Sequence, residues 1–420
     1  MRFPGNFTRP SNSAITRSGH QSFREHKTLN SPLPILVESF EHQDKTFSSA
    51  FSVLEKAISA RAFPAASIAI THKDRLLALK TFGHFTYERN AKGAPSLSRS
   101  LRQGGDFEVK PSTLFDLASL TKVVATTTAA AILYQRGLLE LEAPVIGIVP
   151  EFMADVCGEP DPRRRDLTFR MLLAHSSGLP AYEKLFLKAR TRDDLLRAAF
   201  TTSLSTAPGT HAEYSDIGFI LLGAALERIA GESLDIFCQR EIFRPLGMSS
   251  ATFNPSAETQ PHIPPTVDDR TFRKKIIQGE VQDENAHILG GVAPHAGLFS
   301  TAEDLARFAH TMLHQGRPIL LPETVALFTS RESAPPGTSR ALGWDTPSAR
   351  SQSGKYFGPR SFGHLGYTGT SLWIDLDREL SITLLTNRTW PDCANQAIKQ
   401  VRPQFHDAII EALENYPLVK

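Results

Sequence analysis

The segment Ala118–Arg136 is apolar on nearly every side, and Gly137 follows it. A helix without a polar face has to be covered from all directions, so the chain must build layers of structure around this one, with the glycine ending it. Inside it sits one charge, Lys122, among Val, Ala, Thr, Ile and Leu. A charge is costly there unless it has a partner. Ser119 stands three positions earlier, and on a helix positions i and i+3 share a face. An ammonium beside a hydroxyl lowers the cost of forming the alkoxide, and a buried amine with a depressed pKa can take up its proton. Ser119 and Lys122 are therefore a candidate nucleophile and its activator. The same residues also fit a capping serine and a snorkelling lysine, and one S-x-x-K is expected by chance in such a chain.

The flanking sequence predicts how that helix is housed. Residues 1–45 are polar and aperiodic, and read as a poorly ordered or loosely docked extension. Phe51, Leu54, Ile58 and Ala62 recur at helical spacing before Pro64. Ala66–Thr71 and Leu76–Phe82 read as a hairpin. A Gly/Ser/Lys-rich loop spans about 90–110, and helices dominate to about residue 250: one starting at Thr168, another opened by Asp216 and closed by Gly231. Residues 254–295 read as irregular. Ser300-Thr301-Ala302-Glu303 has capping-box spacing and starts a helix. Ser361–Gly366, Thr370–Asp375 and Leu380–Asn387 read as antiparallel strands before a terminal helix kinked at Pro403. The expected fold class is α/β: a sheet lobe from about 46–115 and 296–420, an antiparallel sheet flanked by helices, and a mainly helical lobe over about 116–295. A cleft between the lobes is a natural place for a site.

Two further clusters carry chemistry. In Tyr214-Ser215-Asp216, a tyrosine held near a lysine can pass protons, and Asp216 can hydrogen-bond at the same spot. Equally, Asp216 fits a helix cap and Tyr214 a packed aromatic. In Phe362-Gly363-His364-Leu365-Gly366-Tyr367-Thr368-Gly369, the glycines permit close backbone approach. His364 there suits a carboxylate ligand or a proton shuttle, or a surface residue on a bent strand.

Together the three clusters resemble the class C β-lactamase-like family, which includes DD-peptidases, D-aminopeptidases, muropeptide amidases and family VIII carboxylesterases. Its motifs S-x-x-K, Y-x-N (or a variant) and K/H/W-x-G read here Ser119–Lys122, Tyr214–Asp216 and His364–Gly366. The segments 172–179 (LLAHSSGL) and 296–301 (AGLFST) are also typical. The resemblance implies a β-lactamase/transpeptidase-like fold and an acyl-enzyme on Ser119, with Lys122 and Tyr214 managing protons. It also implies an oxyanion hole from the N–H groups of Ser119 and Tyr367. Asp216 replaces the usual Asn, and His364 the Lys of true β-lactamases; a histidine, partly neutral at neutral pH, holds a carboxylate less firmly. Efficient β-lactam hydrolysis is therefore not expected. Residues 279–286 with 290–293 resemble a branch of bacterial wall turnover, whose members commonly have His where this chain has Gln282 and Gly where it has Pro294. Asp283, Asn285 and His287 are expected to line the cleft mouth, unless they only tie down their own loop.

Composition narrows the rest. A net charge of +2 on 420 residues suggests no nucleic-acid partner. Cys157, Cys238 and Cys393 are odd in number and widely spaced, which supports small core residues and neither a disulfide framework nor a zinc knuckle. No apolar run is long enough for a transmembrane helix or a secretory signal, which favours the cytoplasm. G-x-S-x-G, H-E-x-x-H and a Walker loop are absent; His175, Ser176 and Ser177 are read as the capped end of a packed helix, not a triad. The expected protein is a serine hydrolase of a peptide or small molecule, without metal or cofactor. Muropeptide hydrolysis leads, small-ester hydrolysis is second, and a silent penicillin-recognising binder is the non-enzymatic alternative.

Overall fold

The structure, a computed structural model, describes residues 33–87, 107–155 and 157–415. The chain folds as α/β. The first strand, β1 (Val37–Glu38), is followed by α1 (Ser48–Ser59), β2 (Ala65–His72), β3 (Arg75–Gly83) and a short β4 (Phe115–Asp116). Helix α2 comes next, with a π-helical first part (Lys122–Thr127) and an α-helical second part (Thr128–Gln135). Helices α3 (Phe169–Leu173), α4 (Arg192–Thr201) and α5 (Asp216–Ala230) precede β5 (Thr252–Phe253), the small hairpin β6 (Val267–Asp269) and β7 (Lys275–Ile277), and α6 (Glu284–Ile288). The chain closes with β8 (Leu298–Ser300), α7 (Ala302–Leu313), α8 (Pro322–Thr329), β9 (Ser361–Leu365), β10 (Ser371–Asp375), β11 (Leu380–Thr386) and α9 (Ile398–Asn415).

The main sheet has six strands in the order β1-β3-β2-β11-β10-β9, so the two ends of the chain build one sheet. Its strands are apolar on both faces because both faces are covered. Ile68 and Ile70 of β2, Trp373 of β10 and Ile382 of β11 pack with Phe51 and Leu54 of α1 and Phe405 and Ile409 of α9. The alternate residues Ala65, Ala69, Leu372 and Ile374 lie on the α7 side, in one core cluster with residues of α2 and α5. Period two in the strands thus divides the core into two layers. Each fully buried large side chain contributes ~1.5–3 kcal/mol.

Several expectations are corrected. The cap of α7 is Thr301, which accepts from the Asp304 N–H, while Ser300 belongs to β8. The cap of α5 is Ser215, which accepts from the Gly218 N–H, and Asp216 is the first helical residue. Cys157 is exposed rather than packed in a core. The region 254–295, read as irregular, holds the β6–β7 hairpin and α6. Most of the Gly/Ser/Lys-rich loop falls outside the described residues, as do residues 1–32.

Residues 33–45 are docked, earlier than the boundary read at residue 46. β1 pairs with β3 in parallel, with Val37 N–H donating to Asp74 C=O at 2.8 Å and Ser39 N–H to Leu76 C=O at 3.0 Å. Two residues of strand carry no periodicity, so nothing marked them. Deleting residues 1–40 is expected to lower stability by ~1–3 kcal/mol, since β3 loses its edge partner. Ester turnover is expected to stay within twofold of the full chain; a folded but inactive truncation would place this segment in the site.

Candidate active site

Ser119 does not lie on the regular helix. The residue before it, Ala118, has a φ of 46°, a left-handed conformation that a non-glycine residue keeps only when its surroundings enforce it. From there the backbone runs in i+3 bonds, with Thr121 N–H to Ala118 C=O and Lys122 N–H to Ser119 C=O, both 3.0 Å. In such a tight turn side chains at i and i+3 eclipse. The Lys122 ammonium therefore reaches the Ser119 hydroxyl directly, at 3.1 Å. The π-helix follows at once, a distortion frequent at functional sites.

Three groups hold the turn. The buried Asp116 carboxylate accepts from Ala118 N–H at 2.8 Å and from Gln282 N–H at 2.7 Å. Thr368 Oγ1 donates to Asp116 C=O at 2.8 Å, and Thr370 Oγ1 to Leu117 C=O at 2.9 Å, locking the turn to the loop between β9 and β10. Gly366 makes this approach possible: a Cβ there would lie 1.9 Å from Thr370 Oγ1 and 2.6 Å from Leu117 O.

Burial pushes the Asp116 carboxyl up from 3.8 to about 6, against its two N–H donors. Its protonated form is thus favoured by the fold. That stability is fully present below pH 3.8 and lost as pH rises through about 6. The stability of the wild type relative to Asp116→Asn is expected to fall by ~2–3 kcal/mol between about pH 4 and about pH 7. Urea unfolding at the two values checks this, and a constant difference would exclude it.

Lys122 is fully buried. Its ammonium donates to His295 C=O at 2.9 Å and forms an ion pair with Asp216 Oδ1 at 2.6 Å. Burial pulls its pKa down, but Asp216 and Tyr214 outweigh burial and hold it above the ordinary lysine value. The depressed amine considered from sequence is therefore replaced by a held ammonium. Tyr214 donates its OH to Ser119 Oγ at 2.7 Å, and burial raises its pKa, so it is a neutral phenol.

The segment 175–181 positions Tyr214. His175 Nδ1 accepts from Ser215 N–H at 3.0 Å, and its carbonyl from Glu213 N–H at 2.8 Å. Its ring lies 4.7 Å from that of Tyr214. Burial, and then Arg340 and Lys122, hold this imidazole neutral. His175 was read only as a helix end; it is also the floor on which Tyr214 rests.

His364 lies across the site, its ring 5.9 Å from that of Tyr214. Nδ1 donates to Leu365 C=O at 2.9 Å, leaving Nε2 buried without a protein partner. Burial, then Lys122 and Arg340, push its pKa well below the usual value. It is a neutral group, and the carboxylate clamp considered for it needs a cation from elsewhere. A cation lies nearby: the Arg340 guanidinium carbon is 5.4 Å from the centre of the Tyr214 ring, and its Nη1 is 3.9 Å from Asp345 Oδ1. Sequence reasoning missed Arg340 because it lies in a loop without pattern.

The 283–287 segment divides. Asp283 caps α6 through Ala286 N–H at 2.7 Å and meets His295 Nε2 at 2.9 Å, orienting the residue whose carbonyl holds Lys122. Asn285 is not available to a substrate. Its amide nitrogen donates to Glu183 C=O at 2.8 Å, and its oxygen accepts from Phe186 N–H at 2.9 Å. His287 packs against Phe272 instead of the site. Tyr367 is half exposed, under the Arg388 guanidinium at 4.5 Å. Among the described residues, no hydrogen bond occupies the N–H of Ser119 or of Tyr367.

Arg402 is the other residue missed. It is buried and donates from Nη2 to Gly366 C=O and Thr370 C=O, both at 2.9 Å. Among the described residues no carboxylate pairs with it, and burial lowers its pKa to about 9. Its cationic form is held by carbonyls on the back of the third motif.

Comparison with known proteins agrees with this geometry. The profile of the beta-lactamase family matches residues 51–402. An N-acetylmuramyl-L-alanine amidase of Bacillus subtilis is 30% identical over 387 residues, 86% of this chain and 85% of its own. A Salmonella typhimurium protein named as a D-alanyl-D-alanine carboxypeptidase is 29% identical over 365 residues, covering 80% of this chain and 81% of its own. The solved structure of EstCE1, a hydrolase with promiscuous acyltransferase activity, superposes with a TM-score of 0.67 at 20% identity, over 87% of this chain and 99% of that one. No described helix is long and apolar enough to cross a membrane. With the family's profile covering most of its length and both Lys122 and Tyr214 bonded to Ser119, the chain belongs to the beta-lactamase family and is a serine hydrolase.

Proposed function

We propose that this hydrolase cleaves an amide bond of a peptidoglycan-derived peptide through an acyl-enzyme on Ser119. The observation that carries this reading is the Ser119 hydroxyl bonded by both Lys122 and Tyr214, with Arg340 beside them. Ser119 Oγ attacks the carbonyl carbon, and the N–H groups of Ser119 and Tyr367 receive the oxyanion, each donor of this kind contributing ~3–4 kcal/mol. Since Lys122 rests as an ammonium, it accepts the serine proton only by passing one of its own to Asp216, 2.6 Å away. The carboxylate that replaces the usual Asn is thus the proton's destination. Tyr214 protonates the leaving amine; its phenolate then takes a proton from the water that attacks the acyl carbon, and Asp216 returns its proton through Lys122 to the departing Ser119 oxygen. The names of the amidase and carboxypeptidase relatives support the substrate class.

Ester hydrolysis is the second reading. A neutral His364 in place of a lysine favours it, as does the structural likeness to a hydrolase with acyltransferase activity. The test is product analysis with a muramyl-peptide, an acyl-D-alanyl-D-alanine peptide and p-nitrophenyl acetate. Release of the peptide's amino terminus from the muramyl group marks an amidase, and release of D-alanine a carboxypeptidase. Release of p-nitrophenol alone overturns the amide reading in favour of an esterase. No turnover and no fluorophosphonate label would leave a binder. Arg340→Ala is expected to raise KM for carboxylate-bearing peptides ~10–100-fold, the worth of one hydrogen bond to a charged group. Turnover of p-nitrophenyl acetate should hardly change; equal losses on both would remove Arg340 from substrate binding.

A further inference from the structure

A second cluster of ligating side chains lies outside the site of Ser119. His310 is in the last turn of α7 and His314 is its C-cap residue. They stand one turn apart on one face, with ring centres 4.4 Å apart. Asp74, from the turn between β2 and β3, meets His314 Nε2 at 2.8 Å. One nitrogen of each histidine and one Asp74 oxygen lie within 4.8 Å of one another. None of the three bonds to Ser119, Lys122 or Tyr214.

The contact between His314 and Asp74 accounts for two of these residues and leaves His310 unexplained. His310 is buried, and its Nε2 lies 2.8 Å from the Pro34 carbonyl. A carbonyl only accepts, so Nε2 carries the hydrogen and Nδ1 is a bare lone pair. Among the described residues, that buried Nδ1 has no hydrogen-bond partner. An imidazole whose other N–H is fixed by a carbonyl is the form in which histidine ligates metals. The negative end of the α7 dipole adds attraction for a cation.

We infer that Asp74, His310 and His314 form a binding site for a divalent transition metal of the zinc class. Two imidazoles and a carboxylate suit Zn²⁺, with a water completing the tetrahedron. Ligand atoms about 3.3 Å apart are needed for bonds of ~2.0–2.1 Å. Asp74 and His314 are already 2.8 Å apart, and Asp74 is exposed and His314 half-buried, so the site closes by these two moving toward the buried His310. No sequence motif announces the site, because its ligands come from a hairpin and a distant helix. The inferred role is structural: Asp74 C=O accepts from Val37 N–H while His310 donates to Pro34 C=O, so an ion here fastens residues 33–40 to the body of the fold. This inference stands independently of the proposed substrate.

The test uses the full chain, stripped by a chelator and titrated with Zn²⁺ by calorimetry and with Co²⁺ by visible absorption. One ion per chain is expected, with the visible bands of tetrahedral cobalt. His314→Ala and Asp74→Asn, both at solvent-accessible positions, should each weaken binding at least ~10-fold. Both should leave the metal-free melting temperature and ester hydrolysis near those of the wild type. Zn²⁺ should also slow amide exchange in residues 33–40 of the wild type and not of His314→Ala. Binding that survives both substitutions, or none at sub-millimolar Zn²⁺, overturns the inference. Stoichiometric binding without the change in exchange overturns the fastening role.

Discussion

Ser119→Ala and Lys122→Ala are each expected to lower kcat/KM for an activated ester by ~10³-fold or more, and the double variant by no further factor, because residues that act as a unit are not additive. Their stabilities should separate them. Ser119 is partly exposed, and its hydroxyl is one member of a network that persists without it. Lys122 is fully buried, and its partner Asp216 has a side chain only 16% exposed. Removing the ammonium leaves that carboxylate uncompensated, which costs ~3–5 kcal/mol. Adding Asp216→Asn to Lys122→Ala is then expected to recover most of the stability and none of the activity. Urea unfolding with fluorophosphonate labelling of the wild type and the four variants reads both effects. Labelling of Lys122→Ala at the wild-type rate would end the role assigned to Lys122. Unchanged stability in that variant would show that the Lys122 ammonium is not needed to compensate Asp216.

What the sequence revealed follows from what is local. Ile68 and Ile70 alternate with Ala69 because a strand has period two, and Pro64 stops a helix wherever it occurs. These features placed the β2–β3 hairpin and the three C-terminal strands within a residue or two, while α1 ends at Ser59, three residues before Ala62. Lys122 was legible for a different reason: a lone charge in an apolar helix demands a partner, and the partner found is Asp216. What could not be read depends on long-range approach. The tight turn at Ser119 exists because Asp116, Thr368 and Thr370 impose it, and the direction of the Lys122 pKa depends on how near Asp216 comes. Arg340 and Arg402 act across loops, and β1 is too short to show a period. Asn285 sat in a stretch that resembles family members, yet its amide closes a backbone turn. Asp116 left one usable signal: an acid three positions before the serine in an otherwise apolar stretch is expected to hold a backbone in place.

Gly366→Ala is expected to reduce kcat/KM by ~10²-fold or more, the effect of a misplacement of about 1 Å in a reacting constellation, and to lower stability by ~1–3 kcal/mol through overpacking. The reason is space. Its added Cβ would meet Thr370 Oγ1 at 1.9 Å and the Leu117 carbonyl oxygen at 2.6 Å, and neither can retreat freely. Thr370 Oγ1 is fixed by its bond to that same carbonyl, while Arg402 anchors the Gly366 and Thr370 carbonyls from behind. The loop carrying the Tyr367 N–H must therefore move away from Ser119. Thr370→Ala separates this account from a local clash. Alone it removes one hydrogen bond and should cost ~1–2 kcal/mol. Combined with Gly366→Ala it removes the nearer obstacle but leaves the Leu117 backbone in place, so activity should not return. Full recovery in the double variant would show that the glycine serves only the threonine, and that the distance between the nucleophile's turn and the third motif is not what Gly366 protects.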